Sequence, residues 1–241
     1  MQFKLIILIS AVCSFYTALA QTAEEVLAGS IAYHDPNNQW PDFKGKLDIT
    51  LNMPDEPDRY SEVLIDLPGE EFEMYVKKGN DHIYRKWAST MDQCEVIFNG
   101  SDNFSEKQRE KHRLTCEQTL KYRNYYTYLY GLPMKLRDPG TIIDSDVRKV
   151  NFHGKEYLRI KVTYEEQVGS DIWYFYFDPK TLAMEAYQFY HDESKNDGEY
   201  VLLKEEVKYK DMRIPKIRTW YVNKNDQLLG VDELNKISSL K

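Results

Sequence analysis

Two histidine–aspartate pairs are the residues of this sequence whose types could support catalysis or metal binding. His34-Asp35 lies in AYHDPNNQW, and His191-Asp192 lies in FYHD. If the two pairs met in space, their imidazole and carboxylate groups could bind a metal or transfer protons. Each pair also stands at a predicted turn, where a histidine–carboxylate contact anchors a loop. The sequence favours this structural role, leaves a catalytic role open, and predicts neither a metal site nor a cofactor.

No known catalytic motif accompanies these pairs. The sequence contains no G-x-S-x-G elbow, no H-E-x-x-H zinc motif, no glycine-rich phosphate loop and no dinucleotide fingerprint. A pair of acidic residues acting alone stays open, because the chain carries 39 Asp and Glu residues. The sequence therefore favours a non-catalytic protein, and an enzyme that depends on a metal or on carboxylates is an alternative.

Aromatic side chains supply the second candidate chemistry, which is ligand binding. They make up 14% of the chain and include 19 tyrosines, whose apolar rings and polar hydroxyls suit the wall of a cleft. In the strand DIWYFYFDPKT, alternation would place Trp173 and Phe175 on one face and Tyr174 and Tyr176 on the other. We predict a pocket for a lipid or other amphiphile, and an ordinary core is the alternative. The predicted ligand-binding residues are Tyr122, Tyr125, Tyr126, Tyr130, Trp173, Phe175, Tyr187 and Arg137.

Arg137 enters this set for its charge. It lies in KLRDPGT, just after a predicted helix, where it could contact the polar headgroup of a ligand at the rim of the pocket. The alternative is that the Arg137-Asp138-Pro139-Gly140 segment only ends the helix and forms a turn.

The first 20 residues have the features of a secretory signal peptide. MQFKLIILISAVCSFYTALA carries one charge, Lys4, followed by an apolar run and the small-residue site Ala18-Leu19-Ala20. The apolar run is too short to predict a transmembrane segment. We predict cleavage after Ala20 and export to the periplasm or the extracellular space. Residues 21–241 would then form one domain.

The predicted export has a consequence for the cysteines. Cys94 and Cys116 remain after removal of the leader, and an even count in an exported chain predicts a disulfide. Two free thiols are the alternative.

The net charge of −7 argues against nucleic-acid binding and gives no electrostatic attraction to an anionic membrane.

The elements that position these residues indicate an α+β fold. TAEEVLAGSIAY predicts a helix, and FKGKLDITLNM alternates as a strand with one wet face. A charged, then tyrosine-rich helical segment over residues 104–130 interrupts two series of strands. About 10–11 antiparallel strands would form a large curved sheet, an incomplete barrel, because a large twisted sheet curls. The helices would cover its concave face.

Four segments carry a resemblance to known proteins: AYHDPNNQWPDFKGKL, YYTYLYGLPMKLRDPGT, DIWYFYFDPKTLAMEAYQFYHD and IPKIRTWYVNKNDQLLGVD. They resemble a family of secreted Bacteroidetes proteins of unknown function. The element order resembles the lipoprotein-carrier superfamily, which includes the periplasmic lipoprotein chaperone of Gram-negative bacteria and the mycobacterial LppX-type proteins. That resemblance implies a half-barrel covered by helices, with a hydrophobic cavity for acyl chains.

Together these features predict a non-catalytic periplasmic or secreted protein. It would hold a lipid or another hydrophobic ligand between sheet and helices. An envelope module that binds a protein partner through exposed sheet edges is the second alternative, beside the enzyme. The ligand, the protein partner and the oligomeric state are not specified by the sequence.

Overall fold

The computed structural model describes residues 21–240, so the predicted signal peptide and its cleavage site lie outside the described residues. Twelve strands form one antiparallel sheet. They are β1 (Lys44–Asn52), β2 (Arg59–Asp66), β3 (Glu71–Lys78), β4 (Asp81–Ala88), β5 (Glu95–Phe98), β6 (Thr141–Phe152), β7 (Lys155–Tyr164), β8 (Ile172–Phe177), β9 (Met184–Tyr190), β10 (Glu199–Tyr209), β11 (Met212–Val222) and β12 (Leu228–Ser239).

In the described part of the chain, three α-helices accompany the sheet: α1 (Ala23–His34), α2 (Glu106–His112) and α3 (Cys116–Gly131). Thr22 and Ser105 each form a capping box, with Glu25 and Gln108, which fixes the start of α1 and α2. Arg113 adopts a left-handed conformation that ends α2, so the middle segment is two helices. No helix within residues 21–240 is long and apolar enough to cross a membrane.

The strand order explains why the sheet stays open. It runs β5-β4-β3-β2-β1-β12-β11-β10-β9-β8-β7-β6, so two meanders meet where the first and last strands pair. β5 and β6 are the two free edges. The prediction of an α+β half-barrel is confirmed, with twelve strands in place of the predicted 10–11, because the short β5 adds an edge strand to the first meander.

This order also determines the path of the middle helices. β5 and β6 follow one another in sequence but lie at opposite edges, so the chain between them must cross the sheet. α2 and α3 make this crossing. The Cys94–Cys116 disulfide, with Cα atoms 5.4 Å apart, ties the first residue of α3 to the loop before β5. The predicted disulfide is therefore present in the structure.

The core lies on the face that the helices cover. Val26 and Leu27 of α1 and Tyr126 and Leu129 of α3 pack in one buried cluster with side chains from most of the strands. The predicted alternation in β8 holds, because Phe175 and Phe177 belong to this cluster. The N-terminal helix and α3 therefore both cover this face of the sheet.

The opposite face of β8 is buried as well. Tyr174 and Tyr176 are 7% and 2% exposed and form a second apolar cluster. Phe152, at the end of β6, stacks on Tyr176 with ring centroids 4.2 Å apart. The Tyr176 hydroxyl is satisfied within the protein, because it donates to Gln188 at 2.7 Å.

Candidate functional site

A cleft of about 380 Å³ lies between α3 and the sheet. Three of the predicted ligand-binding residues, Tyr122, Tyr125 and Tyr126, line it from the helix side, and we call it the tyrosine cleft. Trp220 of β11 lines the sheet side and stacks on Tyr125, with ring centroids 6.3 Å apart. Tyr125 is 40% exposed, so the cleft has an aromatic wall that solvent reaches.

A row of charged side chains crosses the sheet beside this cleft. Arg59 of β2, Asp232 of β12 and Arg218 of β11 lie in this row. Leu51 of β1 pairs with both Arg59 and Asp232, and Asp232 pairs with Arg218. The Asp232 carboxylate is 7% exposed and accepts a hydrogen bond from the Trp220 indole at 2.9 Å. Burial raises the pKa of Asp232, and the positive charges of Arg59 and Arg218 oppose that shift.

The Arg218 guanidinium is held without a carboxylate hydrogen bond. It lies 3.9 Å from the ring centroid of Tyr130, a cation–π contact, and donates to the Pro215 carbonyl at 2.8 Å. Tyr130 is buried and stacks along α3 next to Tyr126. Burial raises the pKa of Tyr126 to about 12, so its hydroxyl stays protonated.

A second cavity, of about 500 Å³, adjoins the tyrosine cleft. Met53, Arg59 and Tyr122 line both spaces, so the two share a wall. Its floor includes apolar residues of β3 and β4. Its charged lining is basic except for one aspartate, and we call it the basic cavity. The charged and histidine residues that line it are Arg59, Lys78, Asp81, Arg85, Lys111, His112 and Arg113.

The other predicted aromatic residues lie deeper or to the side. Phe175 and Tyr187 are fully buried in the core, and Tyr187 contacts Trp220 from below, at 6.0 Å between centroids. Trp173 packs edge-on against Tyr128 and lines a third cavity of about 400 Å³ on the opposite flank of α3. The structure thus brings Tyr122, Tyr125 and Tyr126 together at one cleft and places the remaining aromatics behind or beside it.

Arg137 has a different partner from the headgroup that the sequence suggested. Its guanidinium donates two hydrogen bonds to the Glu24 carboxylate, near the start of α1. It does not line the tyrosine cleft or the basic cavity. In this position it links α1 to the turn that follows α3.

The two histidine–aspartate pairs act as separate anchors. His34 is 1% exposed; its Nδ1–H donates to the Arg213 carbonyl at 2.7 Å, and its Nε2 accepts the Met184 N–H at 3.0 Å. The Asp35 carboxylate accepts the N–H groups of residues 39 and 40. Among residues 21–240, no group of three His, Cys, Asp or Glu side chains has a metal-binding arrangement.

His191 and Asp192 serve a different loop. His191 contacts Asp171 through Nδ1 at 2.7 Å, and Asp192 caps the short 3-10 turn Glu193–Lys195 through Ser194. All four residues of the two pairs therefore have local structural partners, as the structural interpretation of the sequence proposed.

Arg59 and Arg85 are the residues that the sequence interpretation missed. Each occupies a position that faces the core: Arg85 pairs with buried Met74 and lies two residues after Ile83, which packs against the core. The sequence signal that could have revealed these two residues is an arginine at a position of an amphipathic strand that apolar residues otherwise occupy. Burial of a charge there is costly unless it has a partner.

The comparisons with known proteins identify the class. A family model described as a family of unknown function, DUF6503, matches residues 3–236, and this chain belongs to that family. No functionally curated protein matches the chain by sequence.

Two solved structures share the architecture. A LolA superfamily protein from Nitrosomonas europaea is 11% identical, has a TM-score of 0.50 and covers 92% of this chain and 95% of its own. A protein from Vibrio parahaemolyticus, described as an outer membrane lipoprotein-sorting protein domain, is 10% identical. Its TM-score is also 0.50, and it covers 90% of this chain and 92% of its own. This similarity shows the fold, and it confirms the predicted resemblance to the lipoprotein-carrier superfamily.

Proposed function

We propose that this protein is an exported, non-catalytic carrier that binds the apolar part of a lipid or other amphiphile between α3 and the sheet. The tyrosine cleft is the observation that carries the proposal. Its volume of about 380 Å³ falls in the range of small-molecule sites, and aromatic rings line both its walls. The lipoprotein-sorting description of a structural neighbour agrees with a periplasmic location and a lipid cargo.

Tryptophan fluorescence tests this proposal, because the chain has four tryptophans and only Trp220 lines the tyrosine cleft. An acyl chain brominated along its length quenches an indole that it contacts. We expect delipidated protein to lose fluorescence on titration with a brominated fatty acid. We expect Trp220→Phe to abolish that quenching, while Trp173→Phe, which alters the cavity on the other flank of α3, keeps it.

A pair of variants on α3 tests the cleft by filling it. Gln118 lines the cleft, and Glu117, the preceding residue, does not. We expect Gln118→Trp to lower the affinity for the fatty acid at least about tenfold and Glu117→Trp to leave it unchanged, since a filled pocket offers less apolar surface. Equal affinity of the two variants, or quenching that survives in Trp220→Phe, would overturn the assignment of the cleft.

A further inference from the structure

The basic cavity contains a buried guanidinium with unused hydrogen-bonding capacity. Arg85 is 1% exposed, and its Nη2 donates to the carbonyls of His112 and Arg113, both at 3.0 Å. Its Nη1 is buried and has no hydrogen-bond partner among the described residues. Such an orphaned donor is rare in a native interior, because it carries the full desolvation cost.

The charge around Arg85 is not neutralised by the protein. Two of the basic-cavity side chains have acidic partners: Lys78 pairs with Glu56, and His112 lies 3.9 Å from Asp81. In the described part of the chain, Arg85, Lys111 and Arg113 have no carboxylate within ion-pair distance. A chain with a net charge of −7 therefore concentrates unpaired positive charge along the lining of one cavity.

The floor of the same cavity is apolar. Met74, Val76 and Ile83 form it, and through Arg59 and Tyr122 it adjoins the tyrosine cleft. Arg59 also has a buried Nε without a hydrogen-bond partner within residues 21–240, and it stands where the two spaces meet. One molecule that spans both would place an apolar chain against aromatic rings and an oxyanion against guanidinium groups.

We propose that the basic cavity binds the anionic headgroup, a carboxylate or phosphate monoester, of the amphiphile whose chain lies in the tyrosine cleft. This inference rests on the proposed function and narrows its ligand class. An oxyanion would accept hydrogen bonds from Arg85 and Arg59 and neutralise the charge of Lys111 and Arg113. Charge-assisted hydrogen bonds of this kind are about twice as strong as neutral ones and select oxyanions over hydroxyl headgroups.

Calorimetry with matched ligands tests the inference. We would titrate delipidated protein with oleoyl lysophosphatidate, with monooleoylglycerol, which has the same chain and a neutral headgroup, and with inorganic phosphate alone. We expect the anionic amphiphile to bind at least about tenfold more tightly than the neutral one, the effect of one charged hydrogen bond. We expect inorganic phosphate alone to bind far more weakly than either, because it lacks the chain.

Three variants locate the preference. Arg85→Gln should remove it by lowering the affinity for oleoyl lysophosphatidate far more than that for monooleoylglycerol. Lys111→Gln combined with Arg113→Asn changes only exposed side chains, so it should fold and should reduce the preference about threefold or more. Asn tolerates the left-handed backbone at position 113. Lys107→Gln removes one positive charge, as Arg85→Gln does, but lies on α2 outside the cavity, so it should leave the preference unchanged.

The outcomes separate the two proposals. Equal affinity for the anionic and neutral amphiphiles overturns the headgroup assignment and leaves the carrier function standing, whereas binding of neither amphiphile overturns both. Inorganic phosphate that binds as tightly as lysophosphatidate would assign the cavity to a free anion and overturn the joint site. A preference that survives in both the Arg85 variant and the double variant would also refute the inference.

Discussion

Removal of the Cys94–Cys116 disulfide should weaken the protein globally and loosen one wall of the candidate site. The bond closes a loop across 22 positions of sequence, and the chain-entropy relation gives about 3 kcal/mol of stabilisation for a loop of that length. It fixes the first residue of α3. Just before it, α2 buries none of its residues and therefore has little packing of its own.

Two measurements on Cys94→Ser/Cys116→Ser check this expectation. Urea denaturation should show a free energy of unfolding lower by about 3 kcal/mol. Hydrogen exchange on the folded variant should show lost protection over residues 106–122, since local opening is easiest where few apolar contacts hold a segment. Residues 172–190, in the β8–β9 hairpin, should keep their protection and serve as the internal control.

The reasoning would be refuted by either of two results. A loss below about 1 kcal/mol would show that the unfolded chain gains little freedom when the bond is removed. Unchanged protection over residues 106–122 would show that α2 and the start of α3 are held by their own contacts. In that second case the carbonyl bonds from Arg85 would be the dominant restraint on this wall of the basic cavity.

Two further predictions concern the covered face. On acidification followed by nitrogen-15 NMR, His34 should stay a neutral Nδ1–H tautomer to a lower pH than exposed His191, because burial lowers the pKa of His34 and Asp171 raises that of His191. Near pH 6.5 the unfolded chain binds a proton at His34 that the folded protein does not, so the free energy of unfolding should fall as the pH falls below that value. If His34 titrated in the folded protein as it does in the unfolded chain, this prediction would be contradicted. Gly131→Ala should lower the free energy of unfolding by about 1–3 kcal/mol, because the added Cβ would clash with the Trp40 ring. Gly169→Ala, whose Cβ would lie in open space, should cost little, and equal losses for the two variants would contradict the packing argument.

Local patterns were sufficient for the elements but not for their long-range partners. Side chains alternate between the two faces of a strand, so the alternation from Phe43 to Met53 identified β1. For the same reason the two-residue spacing of Trp173 and Phe175 placed both on the inner face of β8. The pairing of β1 with β12 joins residues such as Leu47 and Ile237, nearly two hundred positions apart. No local signal specifies such a contact.

The same distinction applies to the candidate site: residues related by local spacing could be predicted, and residues whose role depends on a distant element could not. Tyr122, Tyr125 and Tyr126 could be predicted to lie on one surface because helical spacing places them there. Arg137 could not be placed, because its partner Glu24 is on a distant helix. Arg85 could not be recognised from the sequence either. Its role depends on which face of the strand the helices cover, and that is known only once the sheet is assembled.

The position of the cavities follows from how unevenly the concave face is filled. α1 packs across the half of the sheet between β11 and β6, and aromatic residues such as Phe175 and Phe177 fill the space beneath. The other half, from β1 to β4, lies under the start of α3 and under α2, which contributes no buried side chain. A sheet face that is apolar but thinly covered leaves room for a ligand. The basic residues at this end then provide the polar contacts that an aliphatic core alone would lack, so the tyrosine cleft and the basic cavity together offer apolar and charged contacts to one ligand.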